Sequence, residues 1–175
     1  MNNAPVKSII YREATINDSP AVARVHVRSW RESFAGIVPS TFLDKMSVER
    51  RAEAFAKRFS EAFYGMYVAE DEESGVIGFA DYGAPRDDVA GYEAELYAIY
   101  LLPEYQGKGV GQALFKLVVE ALVKSGKRSL YLLALELSPY KSFYEKMGGR
   151  VVERRPKELE GVTFDVLVYG WERIS

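Results

Sequence analysis

The stretch from Tyr92 to Lys124 limits what this chain can fold into more than any other. YEAELYAIYLL, Tyr92 to Leu102, is rich in branched and aromatic residues and reads as a strand that Pro103 closes. From about Gly109 to Lys124 the apolar residues Val110, Leu114, Leu117, Val118, Ala121 and Leu122 recur at helical spacing. Between strand and helix stands QGKGVG, Gln106 to Gly111. Its three glycines let the backbone approach a ligand closely, and the free N–H groups that open a helix converge on one point, which makes an anion site suited to a pyrophosphate. The turn is not a Walker loop, which needs GxxxxGK[ST]. Nor is it a dinucleotide GxGxxG, because Gln112 stands where the last glycine is required. The plainer reading, a tight strand-to-helix turn and nothing more, is open to QxxGxG taken alone.

The remaining elements arrange themselves around this unit. Lys7 to Glu13 reads as a strand, with Thr15 or Asp18 capping a helix that carries Val22, Val25, Val27, Trp30 and Phe34. A second helix runs from near Ser40 to before Gly65, through Phe42, Leu43, Met46, Ala52, Phe55 and Phe59. Met66 to Ala69 and Val76 to Tyr82 form a hairpin across DEESG. After the helix that Gly126 ends come a strand, Ser129 to Ala134, and a short helix opened by Ser138 and Pro139. Arg150 to Glu153 and Val162 to Tyr169 are the last strands, separated by the polar RRPKELEG. The order β-α-α-β-β-β-α-β-α-β-β predicts an α/β (α+β) fold, with a mixed sheet of about seven strands flanked by about four helices. The 175 residues fit a single domain, 1–175, able to bury a core without staples.

Composition removes several function classes. With no cysteine there is no disulfide, thiolate metal site or cysteine nucleophile, and a single histidine, His26, leaves no room for a multi-histidine metal centre or a Ser-His-Asp triad. A net charge of −2, with basic residues dispersed among acidic ones, gives no footprint for nucleic acid. No apolar run reaches the roughly 20 residues of a membrane span, and MNNAPVKSIIYREA lacks the apolar region of a signal peptide. A cytoplasmic protein, monomeric or homodimeric, is expected.

The residues around the glycine turn carry a resemblance. ELYAIYLLPEYQGKGVGQALF, Glu95 to Phe115, resembles the acetyl-CoA motif of the general N-acetyltransferase (GNAT) superfamily. SPYKSFYEKMGG, Ser138 to Gly149, is similar to that family's NxAxxFYExxGF-type segment, with Ser138 for asparagine, Tyr140 for alanine and Gly149 for an aromatic. HVRSWRESFAGIVPSTFLDKMS resembles a bacterial subset of the family with a tryptophan and a glycine-x-x-proline turn. The resemblance implies the GNAT fold and acetyl transfer from acetyl-CoA to a primary amine of a small molecule or peptide. It places the coenzyme on Ile99, Tyr100 and Leu101, on Gln106, Gly107, Lys108, Gly109, Val110 and Gly111, and on Ser138. It implies further that the strand is splayed from its neighbour near Leu101, where a backbone N–H would stabilise the oxyanion.

Such a transfer needs a neutral amine, and an alkylamine with a pKa of about 10.4 arrives as an ammonium, so a base is required. Glu93 and Glu95 lie two apart on the strand, hence on one face, with Ile99 and Leu101 sharing their parity. The resemblance puts the base on this strand, with Glu95 first and Glu93 as the alternative; a solvated strand face is the plainer reading. It assigns Tyr144 the role of acid to the departing thiolate, a core aromatic being the plainer reading. His26, Trp30, Arg31 and Phe34 sit where the first helix would line an acceptor pocket, and each also reads as structural. A protein of this fold that binds acyl-CoA without turnover is the alternative from another class.

Overall fold

The computed structural model describes residues 8–175; Lys7, assigned above to the first strand, lies outside them. The chain runs β1 (Ile9–Glu13), α1 (Ser19–Ser33), α2 (Ser40–Asp44), α3 (Val48–Arg58), β2 (Tyr64–Asp71), β3 (Gly75–Gly83), β4 (Ala94–Leu101), α4 (Val110–Lys124), β5 (Leu130–Leu135), α5 (Lys141–Lys146), β6 (Arg150–Leu159) and β7 (Val162–Trp171). The seven strands form one sheet in the order β1-β2-β3-β4-β5-β7-β6. Each neighbouring pair is antiparallel except β4 and β5, as the α/β (α+β) reading with a mixed sheet requires.

The two faces of the sheet are covered by different helices. On one, Leu114, Val118 and Leu122 of α4 pack on Ile77, Ala80 and Leu96. On the other, Val22 and Val25 of α1 meet Phe55 of α3 and Val68 and Phe79 of the sheet. A third cluster joins Trp30 and Phe34 to Phe42, Met46, Leu135 and Val166. Each such side chain, fully buried, contributes on the order of 1.5–3 kcal/mol, so these interfaces set the position of α1 over the sheet.

Four expectations need correction. The helix read from Ser40 to before Gly65 is two, because the Ser47 hydroxyl accepts the Arg50 N–H at 3.2 Å and starts a new helix at Val48. The break lets Phe42 and Met46 join the Trp30 cluster while Phe55 joins the Val22 cluster, and it accounts for the fifth α-helix among the described residues. RRPKELEG is not a loop. Most of it continues β6 to Leu159, with Pro156 tolerated because β6 is an edge strand, and the turn is made by Glu160 and Gly161 at φ 48° and 81°. The last helix opens at Lys141 rather than at Ser138 and Pro139, and the Ser138 hydroxyl instead accepts the Tyr140 N–H at 3.2 Å.

The fourth correction bears on the site. Between Asp81 and Tyr82 the register with β4 shifts: Asp81 faces Ala98 and Tyr82 faces Leu96, so Tyr97 is an extra residue in β4. A bulge of this kind reverses side-chain parity beyond it. Ile99 and Leu101 therefore join the α4 face with Leu96, whereas Glu95 shares the α1 face with Ala98 and Tyr100. β4 pairs with β5 only at Ala94 with Leu130 and Glu95 with Tyr131. Past Glu95 the two strands part.

Candidate active site

The parting of β4 from β5 opens two cavities that meet along one wall. The first, of about 670 Å³, is lined by Ile99, Tyr100 and Leu101 of β4, by Gln106, Gly107, Gly109, Gly111 and Gln112 of the turn, and by residues from Pro139 to Met147 around α5. Gly107 and Gly109 take φ 70° and 83°, the left-handed region that glycine enters without strain. Gly109 is the N-cap of the 15-residue α4, whose first free N–H groups open there beside the cavity, so an anion is favoured by both donors and helix dipole. Gln106 donates to the Leu101 carbonyl at 3.3 Å and to the Tyr140 hydroxyl at 3.1 Å, and Tyr140 in turn bonds Ser33 of α1. Ser29 also donates to the Leu101 carbonyl at 3.0 Å, which ties α1 to the free edge of β4.

The second cavity, of about 460 Å³, lies under α1 and α3, with Glu95, Tyr97, Ala98 and Tyr100 of β4, Leu133 to Leu135 of β5, Lys157 to Leu159 of β6 and Glu160 of the following turn among its walls. Glu95 is 1% exposed. Its carboxylate accepts from the Arg86 backbone N–H at 2.8 Å, the Arg86 Nη2 at 2.8 Å and the Tyr131 hydroxyl at 2.9 Å. The Arg86 guanidinium lies 3.8 Å from the centre of the Tyr97 ring, so the bulge residue helps hold the pair. Nearby, the buried Asp81 bonds Arg58 at 2.7 Å and Tyr64 at 3.1 Å, and burial raises its pKa.

Tyr100 and Tyr144 line both cavities. Tyr144 packs edge to face on Phe143 and at 5.3 Å on Tyr169. Burial, and the neighbouring Tyr100, Tyr140 and Tyr169, push its pKa up, so the phenol stays protonated and is a standing donor at the junction. Gly149, where an aromatic was expected, is matched by Trp171: a Cβ at 149 would come within 2.5 Å of that indole, which fills the space and donates to the Met147 carbonyl at 2.8 Å.

The remaining expected site residues are placed as follows. Ser138 borders the second cavity, not the first. Val110 is buried and lines neither cavity, while Lys108 is exposed, its Nζ 5.8 Å from the Tyr105 ring. Glu93 lies just before β4, accepts the Arg128 N–H at 2.6 Å and lines neither cavity. Arg31 bonds the Met46 carbonyl at 2.8 Å and holds the segment between α2 and α3. Sequence reasoning passed over Arg86, in a loop read only as polar, and Arg51, on an exposed-looking helix face; no spacing rule links either to the strand that it faces.

The acetyltransferase (GNAT) family model matches residues 27–149, more than half of the chain. The chain belongs to this family. Across 167 residues it is 34% identical to the uncharacterized N-acetyltransferase YuaI of Bacillus subtilis (strain 168), with 95% of each protein covered. Over 84 residues, 48% of this chain and 54% of the relative, it is 34% identical to the ribosomal protein bS18-alanine N-acetyltransferase of Haemophilus influenzae. Its fold matches that of the paia N-acetyltransferase of Thermoplasma acidophilum, solved in complex with coenzyme A, at a TM-score of 0.69 and 25% identity, covering 94% of this chain and 99% of that one. As a GNAT protein the chain carries the family's chemistry, acetyl transfer, on a sheet whose splay, bulge and glycine turn adjoin the two cavities described. No helix among the described residues is long and apolar enough to cross a membrane.

Proposed function

We propose that this protein is an acetyl-CoA-dependent N-acetyltransferase of 1–175 as one domain, acting in the cytoplasm on a primary amine of a small molecule or peptide. The observation that carries the reading is the meeting of the two cavities at Tyr100 and Tyr144, one bordered by the glycine turn and the other walled by Glu95. The larger cavity suits the coenzyme: left-handed Gly107 and Gly109 leave the α4 N–H groups accessible to phosphates, and the edge of β4 from Ala98 to Leu101, unpaired on its β5 side, offers backbone groups to an amide-bearing arm. When bound, acetyl-CoA supplies an activated acyl thioester.

The chain's own groups do the rest. Glu95 takes the proton that the acceptor ammonium must lose, and because both its oxygens already accept hydrogen bonds it does so through water rather than by direct contact. Tyr144 holds its proton at the junction and donates it to the sulfur as the carbon–sulfur bond breaks and the carbon–nitrogen bond forms. Arg86 and Tyr131 hold the carboxylate in place.

The test is release of free coenzyme A from acetyl-CoA, followed by a thiol reagent, across a panel of primary amines. Amine-dependent release with mass-confirmed N-acetyl product is expected. Coenzyme binding without release on any amine would leave a binding protein of this fold, and absence of coenzyme binding would remove the site itself.

A further inference from the structure

Most cations of the acceptor cavity are already engaged. Arg86 pairs with Glu95 at 2.8 Å, Arg58 with Asp81 at 2.7 Å, and Lys157 with Asp87. Arg51 of α3 is different: it lines the cavity half-buried, and its guanidinium makes no ion pair or hydrogen bond among the described residues. Burial lowers its pKa, and the charge of Glu160 offsets only part of that cost. Glu158 and Glu160 also border the cavity, but both are exposed, where water screens them.

Two further polar side chains line the same cavity. His26 and Trp30, one turn apart on α1, are 8% and 9% exposed; the His26 Nδ1 has no hydrogen-bond partner among the described residues, while the Trp30 indole N–H faces the Tyr100 hydroxyl. The His26 imidazole is neutral, since burial and the charges of Arg51 and Arg58 lower its pKa well below the ordinary value. A guanidinium lacking an acceptor is what an anionic oxygen group completes. Phe34, Phe42 and Met46 make much of the surrounding wall apolar. The His26 ring is 5.0 Å from that of Tyr100, which borders both cavities, so the cradle lies one aromatic ring from the junction.

We propose that the acceptor is a primary amine that also carries a carboxylate on an apolar skeleton, and that Arg51, beside His26, holds that carboxylate. The proposal rests on the acetyl-transfer reading and narrows its substrate class to amino-acid-like molecules. Arg51 supplies the charge, and the distance across Tyr100 sets how far the amine stands from the carboxylate.

The experiment uses matched pairs, leucine with isopentylamine and phenylalanine with phenethylamine, in calorimetric titrations of the full chain with and without coenzyme A, and in turnover with acetyl-CoA. The carboxylate member of each pair should bind, and be acetylated, about ten- to a hundredfold better, the range expected for a charge-assisted hydrogen bond. That preference should collapse toward one in Arg51→Gln and return in part in Arg51→Lys. Equal binding of the two members by the unaltered protein overturns the proposal without requiring any variant to fold. Turnover of the decarboxylated amines at equal or higher efficiency overturns it while leaving the acetyltransferase reading intact. Binding of the amino acids with no release of coenzyme A would support the cradle and count against that reading.

Discussion

From one buried position Glu95 pairs with Arg86 and is the proposed base, and the two roles separate experimentally. Glu95→Gln removes a negative charge facing Arg86, whose side chain is 44% exposed, so the loss of stability should be about 1–2 kcal/mol, below the roughly 3–5 kcal/mol of a fully buried pair. In the folded fraction, turnover should fall most at neutral pH and recover partly at high pH, where the amine is already neutral; a loss independent of pH would take the proton from some other group. Tyr144→Phe keeps the ring that packs on Tyr169 and deletes only the hydroxyl, so coenzyme affinity and melting temperature should hold while kcat falls about a hundredfold. Steady-state kinetics beside a coenzyme titration decides it, and unaltered kcat would remove Tyr144 from the mechanism. Glu95 and Tyr144 were legible as candidates because residue type and motif position survive in one dimension. Arg86 was not, since its meeting with Glu95 depends on how the loop before β4 folds back over the strand.

At the scale of the elements, the glycine turn and the β4 bulge do the positioning. A Cβ built at Gly109 meets nothing within 4 Å, so the obstacle to a side chain there is the left-handed backbone. Gly109→Ala should therefore cost about 1–2 kcal/mol and still respond to acetyl-CoA. Gly109→Glu adds a carboxylate at the mouth of the anion site and should abolish the response. At a hundredfold excess over Kd the coenzyme stabilises the native state by about 2.7 kcal/mol, which for a chain of this size is a rise of roughly 5–10 °C in a thermal melt. An undiminished rise in a folded Gly109→Glu protein would place the phosphates elsewhere. The turn announced itself through its glycines. The bulge at Tyr97 did not, because an extra residue in a strand is visible only against its partner, and alternation alone put Glu95 on the face of Ile99 and Leu101.

For the molecule as a whole, His26 links the core to pH. Its pKa in the folded protein lies well below the ordinary 6.5 because burial and the nearby arginines disfavour the imidazolium. The unfolded chain thus binds the extra proton first as pH falls, so stability is full above about 6.5 and is lost below it, by up to about 1.4 kcal/mol per pH unit until the folded pKa is reached. Asp81, its pKa raised by burial, acts in the opposite sense at lower pH, so the comparison must be with His26→Phe, whose ring fits among Phe55, Phe79 and Tyr100. In urea titrations at pH 7.5 and 5.5 the unaltered protein should lose stability relative to His26→Phe as pH falls; a constant difference would mean that His26 does not titrate on unfolding. The sequence by itself determined the order of the strands along the chain, the glycine turn between β4 and α4, and the candidacy of Glu95 and Tyr144, because periodicity, glycine and local motif are properties of neighbours along the chain. Only the tertiary structure decided that β4 parts from β5 after Glu95, that the two cavities meet at Tyr100 and Tyr144, and that the Arg51 guanidinium has no partner among the described residues inside one of them. Those facts depend on register, on packing across the sheet and on which charges find partners, and these are settled between residues far apart in the chain.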